Sequence, residues 1–178
     1  MKKVITFSGS AEHGKTSVAE ILKKLLEEDG ERCLIVNFAD YLKYIASKYL
    51  GWDGNKDEQG RKILQVLGTD IVRAKNPDFW VETVMRLMDV FWDEYDYFLI
   101  PDCRFPNELK CFEEADIPAT SIKVIRNNFE NRLTPEQRLH PSEIALDGYS
   151  FDYTISSESG LDNLEKEVIK FYNILKEA

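Results

Sequence analysis

The chain has 178 residues, 43% hydrophobic and 31% charged, and its 23 Lys and Arg against 32 Asp and Glu give a net charge of −9. That is the length of one ordinary domain, able to bury about 70% of its extended surface without a disulfide or metal staple. The acidic balance argues against a general nucleic-acid binder, and no apolar run reaches the roughly 18 residues of a membrane helix, so neither partner is expected.

The chain starts Met1-Lys2-Lys3, but the apolar run that follows is too short for a signal peptide and leads into no cleavage site. Residues 4–7 read as a short β-strand ending at Ser8-Gly9. Val18, Ile21, Leu22, Leu25 and Leu26 then fall on one helical stripe that Asp29-Gly30 stops. Residues 34–38 read as a second buried strand, and Leu42, Ile45, Ala46 and Tyr49 as a helix ending near Gly51. Residues 54–60 are polar and expected as a loop, and residues 61–73 as a third helix. Asn76-Pro77 has the pattern of an N-cap with proline in the first turn. A long apolar face follows through Val81, Val84, Met85, Met88, Phe91 and Trp92. Residues 97–100 read as a strand ending at Pro101-Asp102, 107–115 as a helix, 122–125 as a strand and 153–155 as a last strand. Thr134-Pro135-Glu136-Gln137 has a capping-box pattern. Leu161, Leu164, Val168, Tyr172 and Leu175 mark a C-terminal helix. Short apolar strands alternating with helices predict an α/β fold, a parallel sheet covered on both faces, with ligands beyond the carboxyl ends of the strands. Three cysteines, Cys33, Cys103 and Cys111, are an odd number without nearby metal-ligand partners and read as reduced thiols in a cytoplasm.

The strongest chemical signal follows the first strand. Gly9-Ser10-Ala11-Glu12-His13-Gly14-Lys15-Thr16 is G-x-x-x-x-G-K-T, the phosphate-binding P-loop. Glycines let successive backbone N–H groups point at phosphate oxygens, and the helix that follows adds its positive end. Lys15 is expected on the β- and γ-phosphates, the Thr16 hydroxyl on Mg²⁺, and Ser17 at the helix start. At ordinary residue frequencies one window matches about 3 times in 100,000, so the pattern is specific even before its strand–helix context is counted. His13 lies inside the loop, and its side chain is assigned no chemistry.

Weaker constellations sit at other strand ends. Asp102, directly after a strand, suits either support for Mg²⁺ or an ordinary loop aspartate, and Arg104 two residues on suits a phosphate contact. Arg61, Gln65, Thr69 and Arg73 are spaced four apart opposite Ile63, Leu64, Leu67 and Ile71, which suits either a phosphate-and-base contact or a solvated helix face. Asp40 and Lys43 form a small polar group after the second strand. Arg126, Arg132 and Arg138, with Asn127, Asn128 and Asn131, form an arginine-rich segment suited to closing over a transferring phosphoryl group or to serving as a surface loop. His140-Pro141-Ser142-Glu143 follows, with His140 either a capped structural histidine or a ligand contact. Asn55-Lys56-Asp57-Glu58 is a near miss for the N-K-x-D of GTPases, in an early loop and with Glu for Asp. No D-x-x-G follows a strand, and a large motor needs more chain.

Together GSAEHGKT, the block GRKILQVLGTDIVRAKNPDFWV, PDCRFPNE after the third strand and LHPSE after the arginines resemble the phage-type deoxynucleoside monophosphate kinases over nearly the whole chain. FDYTISSESGLDNLEKEV is similar to the adenine-side loop of related P-loop kinases, but lacks the Asn that often stands near Ser157. The resemblance implies a three-layer P-loop kinase fold with a central five-stranded parallel sheet. A helical monophosphate-binding part is expected over about 40–94 and an Arg-rich lid over about 126–147. It further implies transfer of a phosphoryl group from ATP, with Mg²⁺, to a deoxynucleoside monophosphate. Gly9, Ala11, Glu12, His13, Gly14, Lys15, Thr16 and Ser17 would hold ATP. Thr16 and Asp102 would serve the metal, and Lys15, Asp102, Arg132 and Arg138 the transfer. Asp40, Lys43, Arg61, Gln65, Arg73, Trp80, Arg104, Glu108, Arg126, His140 and Glu143 would line the acceptor side, although Trp80 equally fits a helix core. A cytoplasmic setting, in the host if phage-encoded, and a homodimer are compatible with the resemblance. Two readings compete: another small-metabolite kinase such as dephospho-coenzyme A kinase, or a nucleotide-binding regulator without turnover.

Overall fold

Residues 3–177 are described by the computed structural model; Met1 and Lys2, weighed above as the start of a leader, lie outside them, as does Ala178. Five parallel strands form one sheet in the order β2-β3-β1-β4-β5. They are β1 (Lys3–Ser8), β2 (Cys33–Ile35), β3 (Tyr97–Cys103), β4 (Ala119–Arg126) and β5 (Tyr153–Ser157). Along β3 successive side chains alternate between the faces: Tyr97 and Leu99 join one core, Phe98 and Ile100 the other. Both sets are buried, which is why the strands read as continuous apolar runs rather than alternating ones.

The first face is covered by α1 (Lys15–Glu28) and α8 (Leu161–Glu177), whose Val18, Leu22, Leu26, Val168 and Phe171 pack on Ile5, Phe7, Leu99, Val124 and Ile155. The second is covered by α2 (Ala39–Leu50), α4 (Phe79–Val90) and α5 (Pro106–Glu114), through Leu42, Trp80, Val84, Met88, Leu109 and Phe112. Two short helices, α6 (Pro135–Arg138) and α7 (Pro141–Ile144), follow β4. The chain leaves β1 for one face of the sheet and its neighbour β3 for the other, so a crevice opens at the carboxyl ends of these two strands.

Several boundaries differ from the sequence reading, each for a local reason. The second strand ends at Ile35, because Phe38 and Ala39 turn their N–H groups to Asp102 and open α2. β3 runs through Pro101 to Cys103. The missing proline N–H costs nothing there, because β2 has already ended and the β1–β3 register shifts between Thr6 and Ser8. The expected polar loop over 54–60 contains the start of α3 (Glu58–Gln65), capped by the Asp57 carboxylate, which accepts from Gly60 N at 2.7 Å. This helix continues as a π-helical segment (Val66–Arg73). The Trp80 indole N–H donates to Gly68 O at 3.0 Å, giving a carbonyl of the widened turns an outside partner. α4 starts after Asp78, not after Asn76; the Asn76 side chain instead accepts from Asp78 N. Phe91 and Trp92 lie beyond its end, and Trp92 stacks on Phe98 with ring centroids 5.5 Å apart. The Thr134–Gln137 capping box forms as the pattern predicts.

Candidate active site

Gly9 to Gly14 link β1 to α1 as a tight loop. Gly9 has φ +145°, and a Cβ there would stand 2.3 Å from Val124 O, so only glycine lets the loop lie against β4. Gly14 caps α1 in the left-handed region, and the helix N-terminus faces the crevice. The Lys15 ammonium is buried beneath the loop and donates to Gly9 O at 2.7 Å and Ser10 O at 2.8 Å. Burial and then the nearby Arg104 lower its pKa to about 7, against the opposing pull of Glu143 and Asp102. The loop already accepts an anion: Ala11 N donates to the Glu143 carboxylate at 3.3 Å. That contact shows a loop N–H aimed at negative charge.

A cavity of about 440 Å³ extends from this loop. Ala11, Glu12, Gly14, Lys15, Thr16 and Ser17 line one side of it; Gly9 and His13 do not. The His13 ring packs edge-on to Phe129 and its Nδ1 accepts from Arg126 N at 3.3 Å. Burial, followed by Lys15, lowers the His13 pKa. Asp102 and Arg104, at the end of β3, meet the same cavity. The Asp102 oxygens accept from Phe38 N at 2.9 Å and Ala39 N at 3.0 Å, and burial raises its pKa against those two bonds. Each oxygen keeps a second lone pair. Thr16 and Asp102 thus offer a hydroxyl and a carboxylate oxygen on one cavity. No group of three His, Cys, Asp or Glu suited to a metal occurs among the described residues. This donor set fits Mg²⁺, which takes one or two protein oxygens and completes its shell with phosphate and water.

The acceptor-side expectations divide. Arg61, Gln65, Thr69 and Arg73 all reach the cavity, so the four-residue spacing marks one face of α3 and its π-helical extension. Leu64, expected on the opposite side, lines the cavity as well. Arg73 is tied down: it donates to Pro77 O at 2.9 Å, stacks 4.0 Å over the Phe105 ring and pairs with buried Glu108. Glu108 also accepts from Arg104 N at 2.5 Å and Phe105 N at 3.0 Å. Burial pushes the Glu108 carboxyl up to about 7, against the Arg73 charge and those donors. Trp80 is 3% exposed and belongs to the core, with one edge on the cavity. Lys43 lines the cavity, whereas Asp40 lies outside it; its carboxylate is occupied by Asn37 and by Lys43 at 3.1 Å.

None of the three arginines expected in a lid, Arg126, Arg132 and Arg138, lines the cavity. Arg126 lies 4.0 Å over the Phe129 ring and donates to Ser159 Oγ. Arg138 braces its own loop through Leu133 O and Asn131 O and pairs with Glu130. Arg132 points outward, its backbone N–H on Glu12 at 3.3 Å. The segment is nonetheless docked. Glu12 also pairs with Arg61 at 2.9 Å, and buried Gln137 donates to Glu58 O at 3.2 Å. His140 caps α7 by accepting from Ser142 N at 3.2 Å, and its Nε2 stands 3.7 Å from Asp70. Glu143 bridges the P-loop and Arg104, the latter at 2.6 Å. Asn37, Lys56, Phe105 and Ser142 line the cavity without having been singled out for it. Lys56 was in view only as part of a failed GTPase motif.

A family profile described as deoxynucleotide monophosphate kinase matches residues 17–168. A relative from Enterobacteria phage T4, a deoxynucleotide monophosphate kinase, is 28% identical over 118 residues, 65% of this chain and 46% of that protein. The chain thus aligns with less than half of that relative's length. Among solved structures, an unliganded sugar kinase from Janibacter sp. HTCC2649 is similar at 13% identity and TM-score 0.53, over 98% of this chain and 95% of that one. The Mycobacterium tuberculosis APS kinase CysC in complex with AMPPNP and APS is similar at 15% identity and TM-score 0.49, over 97% and 98% of the two chains. The family profile covers well over half of the sequence, and the chain belongs to the deoxynucleotide monophosphate kinase family.

Proposed function

We propose that this protein transfers the γ-phosphoryl group of ATP to a deoxynucleoside monophosphate, giving ADP and the diphosphate. The observation that carries the reading is a single cavity on which the P-loop, with Lys15 and Thr16, meets the β3 end, with Asp102 and Arg104, and the Arg61–Gln65–Arg73 face. Donor and acceptor phosphates can thus lie side by side, which is most of what phosphoryl transfer requires of a protein.

The P-loop N–H groups and Lys15 would hold the β- and γ-phosphates of ATP. A bound phosphate favours the Lys15 ammonium by supplying the counter-charge that offsets its burial. Thr16 and Asp102 would hold Mg²⁺, which when bound neutralises charge on the donor phosphates. Arg61, Gln65 and Arg104 orient the acceptor, with Arg73 held as a rigid wall by Glu108. The helical region of about 40–94 serves as the acceptor-binding part and about 126–147 as the lid. Arg126 and Arg138 are spent on loop contacts and Arg132 is exposed, and closure over bound nucleotide would bring Arg132 and Arg138 to the transferring group and exclude water. A small-molecule reaction of this kind needs neither a nucleic-acid nor a membrane partner. Among the described residues no helix is long and apolar enough to cross a membrane.

The test is ADP release from Mg-ATP with each of the four deoxynucleoside monophosphates, with dephospho-coenzyme A and with no acceptor. Stimulation by one or more deoxynucleotides is expected. Stimulation by dephospho-coenzyme A alone would reassign the acceptor, and ATP binding without any stimulation would leave a regulator. Arg132→Ala is expected to lower turnover by about two orders of magnitude, in the range typical of arginines that stabilise phosphoryl transfer, with ATP affinity nearly unchanged.

A further inference from the structure

Six cationic side chains line the cavity, Lys15, Lys43, Lys56, Arg61, Arg73 and Arg104, against four acidic ones. In a chain of net charge −9 this is a local reversal of sign. Four of the cations have a carboxylate partner: Lys43 has Asp40, Arg61 has Glu12, Arg73 has Glu108 and Arg104 has Glu143. Lys15 has two P-loop carbonyls. The Lys56 ammonium makes no hydrogen bond or ion pair with any described residue.

The loop that presents Lys56 is built rather than loose. The Trp52 indole donates to Asn55 O at 2.7 Å, and Asp53 accepts from Asn55 N at 2.9 Å and Nδ2 at 2.8 Å. Gly60 closes the loop from below, since a Cβ there would stand 2.0 Å from Asn55 O. Arg61, itself on the cavity, donates to Lys56 O at 2.9 Å. Partial desolvation, then Lys43, Arg61 and Arg104, lower the Lys56 pKa against the weaker opposing pull of Asp102, as expected of a cation set mainly among other cations.

Phosphoryl transfer between two phosphates needs two anion seats, and the cavity holds two lysines without a carboxylate. We propose that Lys56 is an acceptor ligand, its ammonium binding the phosphate of the deoxynucleoside monophosphate beside Arg61, as Lys15 serves the donor. This assignment rests on the function proposed above. Nucleotide phosphate supplies the counter-charge that Lys56 lacks, and a lysine meets it as a point charge on a flexible stem.

The experiment compares wild type, Lys56→Met and Lys56→Arg, with folding checked by circular dichroism and the acceptor being whichever deoxynucleotide the wild type uses best. Lys56→Met is expected to raise the acceptor KM about tenfold or more while the ATP KM moves less than about twofold, the loss typical of one charge-assisted bond. Lys56→Arg is expected to recover most of it. An unchanged acceptor KM, or an equal rise in the ATP KM, overturns the assignment. If the wild type uses no deoxynucleotide, the proposed function itself fails. Lys56 is then read by calorimetric titration of inorganic phosphate into Lys15→Ala and Lys15→Ala/Lys56→Met proteins. Weaker binding to the double variant keeps Lys56 as an anion ligand, and equal binding overturns it.

Discussion

Arg73 and Glu108 are a buried ion pair whose two halves respond unequally to losing each other. Their side chains are 9% and 3% exposed. Glu108→Ala leaves a guanidinium that cannot shed its proton, together with the Arg104 and Phe105 N–H groups stripped of their acceptor. Breaking a buried pair in this way costs about 3–5 kcal/mol. The adjoining cavity admits water, so about 3 kcal/mol is expected, a fall in Tm of roughly 9 °C at about 3 °C per kcal/mol for a domain of this size. Arg73→Met leaves a carboxyl that can take up a proton, because burial already raises Glu108 to about 7 from 4.5 with the arginine present. Its cost at neutral pH is expected to be about 1–2 kcal/mol, the value of the lost bonds.

The pH dependence carries the sign. A carboxyl with a raised folded-state pKa contributes stability that is full below 4.5 and lost as pH rises through the folded value, so the window is 4.5 to about 7 in the wild type. Without Arg73 the window extends upward, and Arg73→Met should lose stability more steeply than the wild type between pH 6 and 8. Urea unfolding of the three proteins at both pH values measures this. Arg73→Met costing as much as Glu108→Ala, or showing no steeper pH dependence than wild type, would refute the reasoning.

Gly9→Ala places a Cβ 2.3 Å from Val124 O at φ +145°, both of which are backbone constraints, so a loss of more than about 2 kcal/mol is expected with ATP binding by calorimetry reduced below detection. Glu12→Ala removes the link joining the P-loop to Arg61 and to Arg132 N; the pair is partly exposed, so stability should change by less than about 1 kcal/mol, while amide exchange across 130–139 accelerates. Cys33 and Cys111 are pushed up to about 12 by burial and Cys103 well above its usual value, so all three should resist a thiol reagent at pH 8 until the protein is unfolded. Rapid labelling of the native protein would contradict the placement of these thiols.

What was legible in the sequence is what depends on neighbours along the chain. Eight contiguous residues suffice to write the P-loop, because glycine torsions, backbone N–H groups and one helix start make it. The apolar strands between amphipathic helices predict a parallel covered sheet, and the Thr134–Gln137 capping box forms within four residues. Where the reading stopped, a distant partner decides. Asp102 caps α2 from the end of β3, which ends β2 early. Trp80 on α4 reaches back twelve residues to Gly68 O in the widened turns of the π-helical segment. Arg126 turns to Phe129 and Ser159 and Arg138 to its own loop carbonyls, and the residue of that segment on the P-loop is acidic, Glu143 on Ala11 N. Lys56 belongs to no motif; it faces the cavity only because a loop folded against Gly60 turns it there. Local torsion and periodicity therefore determined the phosphate loop and the class of fold. Which cations share its cavity, and which of them already have a partner, was decided by a strand order that sets β1 beside β3.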